Sequence, residues 1–250
     1  MLKLNNISKR YGKEQGLYPF SGSVEQGQTT VVIGPSGCGK STLLRLVTGL
    51  LQPDSGEILI DGELLSTLTL PALRLRLGYV IQEGGLFPHM TAKANISIMA
   101  KFLNWEEPRI DARIGELLDL VQLSDDYLSR YPAELSGGQR QRISLMRALM
   151  LDPDLLLMDE PLGALDPMIR FDLQNDLKKI FARLNKSVLM VTHDIGEAAF
   201  FGDELILLKQ GKVVQRGTIS DLTHKPADEF VTCFINAQRH KFEDNEAVAE

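Results

Sequence analysis

The sequence predicts an α/β fold in which a largely parallel sheet is covered by helices on both faces. Three observations predict it. Short apolar runs such as Thr29-Thr30-Val31-Val32-Ile33, Leu155-Leu156-Leu157-Met158 and Ser187-Val188-Leu189-Met190-Val191-Thr192 read as strands buried on both sides. They alternate with stretches of helical character, notably 41–50 and 171–184. Between about 86 and 150 the apolar residues recur at helical spacing, as at Ile110, Ile114, Leu117, Leu118 and Val121, which predicts a helical subdomain inserted into the core.

In chain order, residues 1–33 read as β and end where the β-branched run meets Gly34. A glycine-rich turn leads into the first helix. Gln52-Pro53-Asp54-Ser55-Gly56 is a turn, Glu57-Ile58-Leu59-Ile60 a strand, and Asp61-Gly62 another turn. Leu77-Gly78-Tyr79-Val80-Ile81-Gln82 reads as a short strand. After the helical block come the two buried strands at 155–158 and 187–192, with the helix 171–184 between them. Two short strands, 205–208 and 212–215, are joined by a turn at Gln210-Gly211. The tail from about 241 is polar and acidic and is expected to fray.

The 250 residues are 44% hydrophobic and 24% charged, enough for a large core without disulfide staples. The net charge of −6 runs against the basic excess of a nucleic-acid binder, so no nucleic-acid partner is expected. Two cysteines, Cys38 and Cys233, make no disulfide framework and suit a reducing compartment. The N-terminus has no signal-peptide pattern. The longest apolar runs fall far short of the roughly 20 residues that span a bilayer. Any work at a membrane is expected to go through a partner.

Gly34-Pro35-Ser36-Gly37-Cys38-Gly39-Lys40-Ser41 fits G-x-x-x-x-G-K-[ST] throughout and lies between a strand and a helix. Glycines there let backbone N–H groups turn inward around a polyphosphate, and the helix that follows aims its positive end at the same place. Lys40 is placed to reach the β/γ-phosphates and the Ser41 hydroxyl to hold Mg²⁺. The run ending in Asp159-Glu160 puts two acids at the carboxyl end of a buried strand. Asp159 can complete Mg²⁺ coordination with Ser41, and Glu160 can polarise an attacking water. Gln82 ends a β-rich segment, where its amide could approach the ion or the water. His193 follows a strand and could reach a γ-phosphate. Taken singly, Gln82 and His193 also fit ordinary polar residues at strand ends, and Tyr11 fits an exposed tyrosine near a turn as well as an adenine-stacking one.

Leu135-Ser136-Gly137-Gly138-Gln139 precedes a helical run, with Ser136 as its N-cap and two glycines exposing backbone N–H groups. This reads as a second anion-binding helix start, and the same residues also fit a plain capped helix with a flexible turn before it. One triphosphate has little use for two in one chain, so the economical reading is that it serves another copy.

Over about residues 2–220 the chain resembles the ATP-binding-cassette family. The phosphate loop, Gln82, the Leu-Ser-Gly-Gly-Gln signature, Asp159-Glu160, the Gly163-Ala164-Leu165-Asp166 loop and His193 occur in family order. The fold so implied is a P-loop NTPase core with an antiparallel β subdomain and an inserted helical signature subdomain. Its boundaries are 1–85 and 150–220 for the ATP-binding core, 86–149 for the helical subdomain, and 221–250 for a C-terminal helix and acidic tail. The resemblance implies nucleotide binding by Tyr11, Gly34, Pro35, Ser36, Gly37, Cys38, Gly39, Lys40, Ser41 and Thr42, with Mg²⁺ on Ser41, Gln82 and Asp159. It makes Glu160 the base, His193 the γ-phosphate sensor and Gln82 a further catalytic group. Ser136, Gly137, Gly138 and Gln139 would act in trans on ATP held by a second copy, and Asp166 would couple the two sites of a homodimer.

The segment 82–95 would form part of a groove for a permease's coupling helix, which places the chain on the cytoplasmic face of a cell membrane. An extracytoplasmic substrate-binding protein would be an indirect partner. The stretch 78–82, Gly85-Leu86-Phe87-Pro88-His89-Met90-Thr91 and the stretch 163–167 are most similar to osmoprotectant importers for quaternary amines such as betaine, choline or carnitine. The chain ends at Glu250, leaving little room for the regulatory extension many such subunits carry. The alternatives are an importer or exporter subunit for another substrate (amino acid, sugar or lipid) and a soluble cassette ATPase. The soluble class usually carries two cassettes or a long coiled-coil insertion, and neither is present. A GTPase is disfavoured because Asn185-Lys186-Ser187-Val188 lacks the Asp of a guanine-reading motif.

Overall fold

A computed structural model describes residues 1–12, 14–163 and 165–246. Ala164 of the Gly163–Asp166 loop and residues 247–250 of the acidic tail lie outside the described residues. In chain order the elements are β1 (Leu2–Tyr11), β2 (Glu14–Val24), β3 (Thr29–Ile33), α1 (Lys40–Val47), β4 (Ser55–Ile60), β5 (Glu63–Leu64), α2 (Leu70–Leu75) and β6 (Leu77–Val80). Then follow α3 (Ala92–Phe102), α4 (Glu107–Val121), α5 (Gly137–Leu149), β7 (Leu155–Asp159), α6 (Pro167–Leu184), β8 (Ser187–Thr192), α7 (Ile195–Phe201), β9 (Glu204–Lys209), β10 (Lys212–Gly217), α8 (Ile219–His224) and α9 (Glu229–Glu246). The chain forms two compact units, 1–65 with 189–250, and 66–188.

The first unit carries an antiparallel sheet in the order β2-β1-β4-β5. Asp61 and Gly62 both take left-handed φ, 49° and 80°. Such a pair matches the right-handed twist of a two-residue hairpin, here joining β4 to β5. Gln210 and Gly211, at 48° and 77°, do the same between β9 and β10. β9 also runs parallel to β3, so β3 receives a strand whose other edge carries the hairpin partner. All five residues of β3 are buried, which is why it reads as a continuous β-branched run rather than an alternating one. Lys9 of β1 donates to Asp54 at 2.7 Å and to the Gln52 carbonyl at 2.8 Å, tying the segment just before β4 to the sheet.

The second unit is mostly helical, with β6 and β7 running parallel within it. Leu155, Leu156, Leu157 and Met158 have no exposed surface. The apolar face of α4 is Ile110, Ile114, Leu117, Leu118 and Val121, all buried, which are the residues the helical period selects. One sequence expectation is corrected. β6 stops at Val80, and Gln82 opens a 3₁₀ turn over Gln82–Gly84 instead of ending a strand. Gly84 and Gly85 take φ 77° and 51°, which breaks the extended run. α9 spans Glu229–Glu246. Val231 and Ile235 are buried one turn apart and dock the helix, and each further residue adds one backbone bond once a helix has started. Among the described residues no helix is long and apolar enough to cross a membrane.

Leu157→Ala removes a fully buried side chain from β7 and should lower the unfolding free energy by about 2–5 kcal/mol, read by urea denaturation. A second test concerns acid. The hydrogen bond from Lys9, then that from the Arg10 N–H, holds the Asp54 carboxyl below its ordinary 3.8. A lowered folded-state value stabilises the fold above the ordinary carboxylate range, and that contribution fades as pH falls through the lowered value. Asp54→Asn should therefore flatten the acid limb of the stability–pH profile below about pH 4 and leave its shape unchanged near neutrality.

Candidate functional site

The predicted site residues fall into two sets, one in each unit. In the first unit the loop 34–39 leaves β3 and enters α1. Gly39, at φ 109°, stands before the helix and offers no side-chain cap. The N–H groups at the start of α1 are thereby left to an anion rather than to a side-chain oxygen. No acid lies in the first turn. Lys40 is only 5% exposed, and its ammonium donates to the Gly34 carbonyl at 2.8 Å and to Pro35 O at 3.3 Å. The side chain is thus folded over the loop it follows, with its charge at the centre of the loop. Ser41 is exposed and Thr42 half-buried just after the loop, while within it Ser36 is exposed and Cys38 buried.

Two glycines here tolerate no side chain. A Cβ on Gly34 would sit 2.3 Å from Leu208 O, and one on Gly39 would sit 2.8 Å from Gly16 O. Tyr11 ends β1 with its ring against Gly16, where a Cβ would lie 2.5 Å from the ring edge. Its hydroxyl is 3.4 Å from Thr42 Oγ1, so an aromatic face 45% exposed stands beside the phosphate loop. His193 is exposed in the short link between β8 and α7. Its neighbours are fixed. Asp194 caps α7 by accepting from Gly196 N and Glu197 N, and the buried Thr192 hydroxyl donates to Glu197 at 2.7 Å.

In the second unit Asp159 ends β7 and Glu160 follows it. Glu160 holds a left-handed φ of 45°, an uncommon state for a residue with a side chain that costs about 1–2 kcal/mol. Such strain concentrates where a side chain must be aimed. The Tyr79 hydroxyl donates to Asp159 at 3.4 Å, and the Gln82 amide lies 3.5 Å from Glu160 Oε2. The structure therefore brings Gln82 to Glu160, although Gln82 arrives from a 3₁₀ turn and not a strand end. That turn is gripped by Arg147 of α5, which donates to Gly85 O at 2.8 Å and Gly84 O at 3.0 Å. Burial lowers the Arg147 pKa from its usual value, and the guanidinium remains a charged donor. Sequence reasoning missed Arg147, because one arginine among several on a helix carries no signal until its carbonyl partners are known.

Ser136 is the N-cap of α5. Its hydroxyl accepts from Gln139 N at 3.3 Å while the Gln139 side chain accepts from Ser136 N at 2.8 Å, a reciprocal box. Gly138 and Gly137 are glycines for steric reasons too, since a Cβ would meet Ile169 at 2.7 Å or Leu165 at 2.9 Å. Asp166 caps α6 by accepting from Ile169 N at 3.1 Å. The Ser41 hydroxyl, the Asp159 carboxylate and the Gln82 amide oxygen are hard oxygen donors of the kind that suits Mg²⁺, which typically keeps few protein ligands.

The family model described as ABC transporter matches residues 17–163. The glycine betaine/carnitine/choline transport ATP-binding protein OpuCA of Bacillus subtilis is 47% identical over 240 residues, covering 96% of this chain and 63% of that protein. The glycine betaine uptake system ATP-binding protein YehX of Escherichia coli is 42% identical over 235 residues, covering 94% of this chain and 76% of that one. The chain thus spans just under two thirds of the OpuCA length. A dimeric ATP-binding cassette solved in a post-hydrolysis state with ADP and Pi superposes with a TM-score of 0.78 at 33% identity, covering 88% of this chain and 99% of that one. The α/β fold is thus that of a cassette ATPase, with parallel and antiparallel strands as the sequence predicts.

Ser136→Ala deletes the hydroxyl half of the α5 cap and should cost about 1 kcal/mol of stability, measured as a lowered urea midpoint at unchanged slope.

Proposed function

The chain belongs to the ABC transporter family, and from that membership we propose that it is the ATP-hydrolysing subunit powering an importer of quaternary-amine osmoprotectants. The observation that carries the reading is the pairing of a complete phosphate loop with a second, serine-capped glycine helix start in the same chain. Nucleotide phosphates lie along the 34–42 loop, with Lys40 moving its donors from the loop carbonyls to phosphate oxygens and Tyr11 stacking on adenine. Ser41, Asp159 and Gln82 would hold Mg²⁺, which draws charge from the β- and γ-phosphates when bound. Glu160 accepts the proton of the attacking water, and Gln82, beside it, orients that water. His193 contacts the γ-phosphate.

Ser136, Gly137, Gly138 and Gln139 act on the nucleotide of a second copy, and Asp166 links the two sites. In support, the cassette solved with ADP and Pi is dimeric. The segment 86–149 acts as the signature-bearing helical subdomain and, with Gln82, receives a permease at the cytoplasmic face of the membrane. An external substrate-binding protein completes the system. The quaternary-amine assignment rests on the names of OpuCA and YehX. The transported molecule does not touch this chain in such an assembly, so selectivity belongs to its partners.

The test is ATP turnover by the purified chain beside Glu160→Gln, with size-exclusion runs with and without ATP and Mg²⁺. Phosphate release should fall by about 10²–10⁴-fold in the variant, the usual worth of a general base. The variant should also elute as a dimer only with ATP. Failure of the wild-type chain to bind ATP would overturn the proposal.

A further inference from the structure

His193 sits in a link of two residues, and its side-chain direction depends on how the peptide between His193 and Asp194 is turned. The nitrogen end of that peptide is held inside the link, where Asp194 N donates to Thr192 Oγ1 at 3.1 Å. Thr192 is itself 1% exposed and committed to the buried Glu197 at 2.7 Å. The carbonyl end is held from elsewhere in the chain, where Gln238 Nε2 of α9 donates to His193 O at 2.8 Å. A peptide group gripped at both its N–H and its C=O has little freedom about the His193 ψ angle.

The grip from α9 comes from a prepared surface. Val231 and Ile235 are buried, and Gln238 lies seven and three residues on, so the three share one face of the helix. The helix start is fixed by Val231 N donating to Asp228 and by Ala227 N donating to Gln215. The Lys209 ammonium lies 4.0 Å from the centre of the Phe230 ring. Gln238 therefore reaches His193 from an element whose position is set independently of the link.

We infer that Gln238 is a positioning residue for ATP hydrolysis. Its amide sets the orientation of the His193 peptide, so that α9 controls how well His193 is aimed. The inference rests on the proposed role of His193 at the γ-phosphate. Gln238 touches neither nucleotide nor the reacting atoms in this reading, and acts only through the His193 carbonyl.

The experiment compares the full-length wild type with Gln238→Glu, Gln238→Ala, Gln238→Lys and His193→Ala. Gln238→Glu keeps the size and shape of the side chain but replaces the N–H donor by an acceptor facing a carbonyl. Gln238→Lys keeps N–H donors at a similar reach. The rate of ATP hydrolysis, the affinity for a fluorescent ADP analogue and hydrogen exchange at the Asp194 amide are measured for each. Loss of one hydrogen bond that aims a catalytic group should lower kcat about three- to ten-fold in the Glu and Ala variants. ADP affinity should stay within about two-fold of wild type, because the γ-phosphate contact alone is affected. Asp194 exchange should quicken in both variants, and Gln238→Lys should recover both rate and protection relative to Gln238→Ala. A purely packing role for Gln238 predicts that the Glu variant behaves like wild type, and that result overturns the inference. Faster Asp194 exchange with an unchanged kcat also overturns it. If His193→Ala is impaired while the Gln238 variants are not, the inference fails and the proposed function stands. If the wild type neither binds nor hydrolyses ATP, the proposed function fails and the positioning role with it.

Discussion

The carbonyl oxygen of Leu208 lies 2.3 Å from where a side chain on residue 34 would begin, and much of the nucleotide half of the molecule depends on that closeness. β3 and β9 are parallel neighbours, so the loop leaving β3 must turn immediately over the end of β9. Only a glycine can make the turn in contact with a backbone oxygen. The β9–β10 hairpin then supports the loop from below, with Gly211 N donating to Cys38 O and Tyr18 N to Gly211 O, both at 2.9 Å. Gly39 is pressed against Gly16 of β2 in the same way. The loop's geometry is thus dictated by two pieces of sheet, and α1 starts where the sheet puts it.

The second unit solves the corresponding problem for its acids with strain and an outside clamp. The four apolar residues of β7 bury completely and fix the strand. Glu160 then leaves it in a left-handed state, which turns its side chain away from the direction a continued strand would give. Gln82 reaches Glu160 from a turn held by two bonds from one half-buried arginine. Because Arg147 belongs to α5, the helix that starts at Ser136 also fixes the backbone beside Gln82. A displacement of α5 would be carried to those carbonyls through a charged donor that is costly to leave unpaired where it is largely shielded from water.

What the sequence made legible is what local chemistry writes into short runs. The continuously apolar strands, the two hairpin turns at Asp61-Gly62 and Gln210-Gly211, the apolar stripe of α4 and the Ser136 cap all rest on neighbours within a few residues. The α/β class followed from their alternation. The sites that local rules missed depend on residues far apart in sequence. Arg147 meets Gly84 and Gly85 from 63 and 62 residues away, and Gln238 meets His193 across 45. The end of β6 was misplaced because Tyr79, Val80 and Ile81 are β-prone, while the left-handed Gly84 and Gly85 and the hold of Arg147 on their carbonyls close the 3₁₀ turn just after them. The left-handed φ of Glu160 had no signal either, since glutamate is not a residue that favours it.

The two helix starts that carry the functional reading differ in a way that bears on which ligand each can take. α1 begins behind a glycine with no capping oxygen, and its lysine is placed on the loop's own carbonyls. Its backbone donors gain most from an anion that lodges inside the loop. α5 begins with a reciprocal cap in which the Ser136 oxygen already accepts a backbone hydrogen bond. A serine hydroxyl that accepts through a lone pair still has its O–H proton to give. Such a start is stable without a ligand and presents an exposed donor outward, which suits a phosphate that comes and goes with another subunit. The first start suits a resident nucleotide. This difference in capping, more than the presence of glycines in both, is what separates the two helix starts chemically.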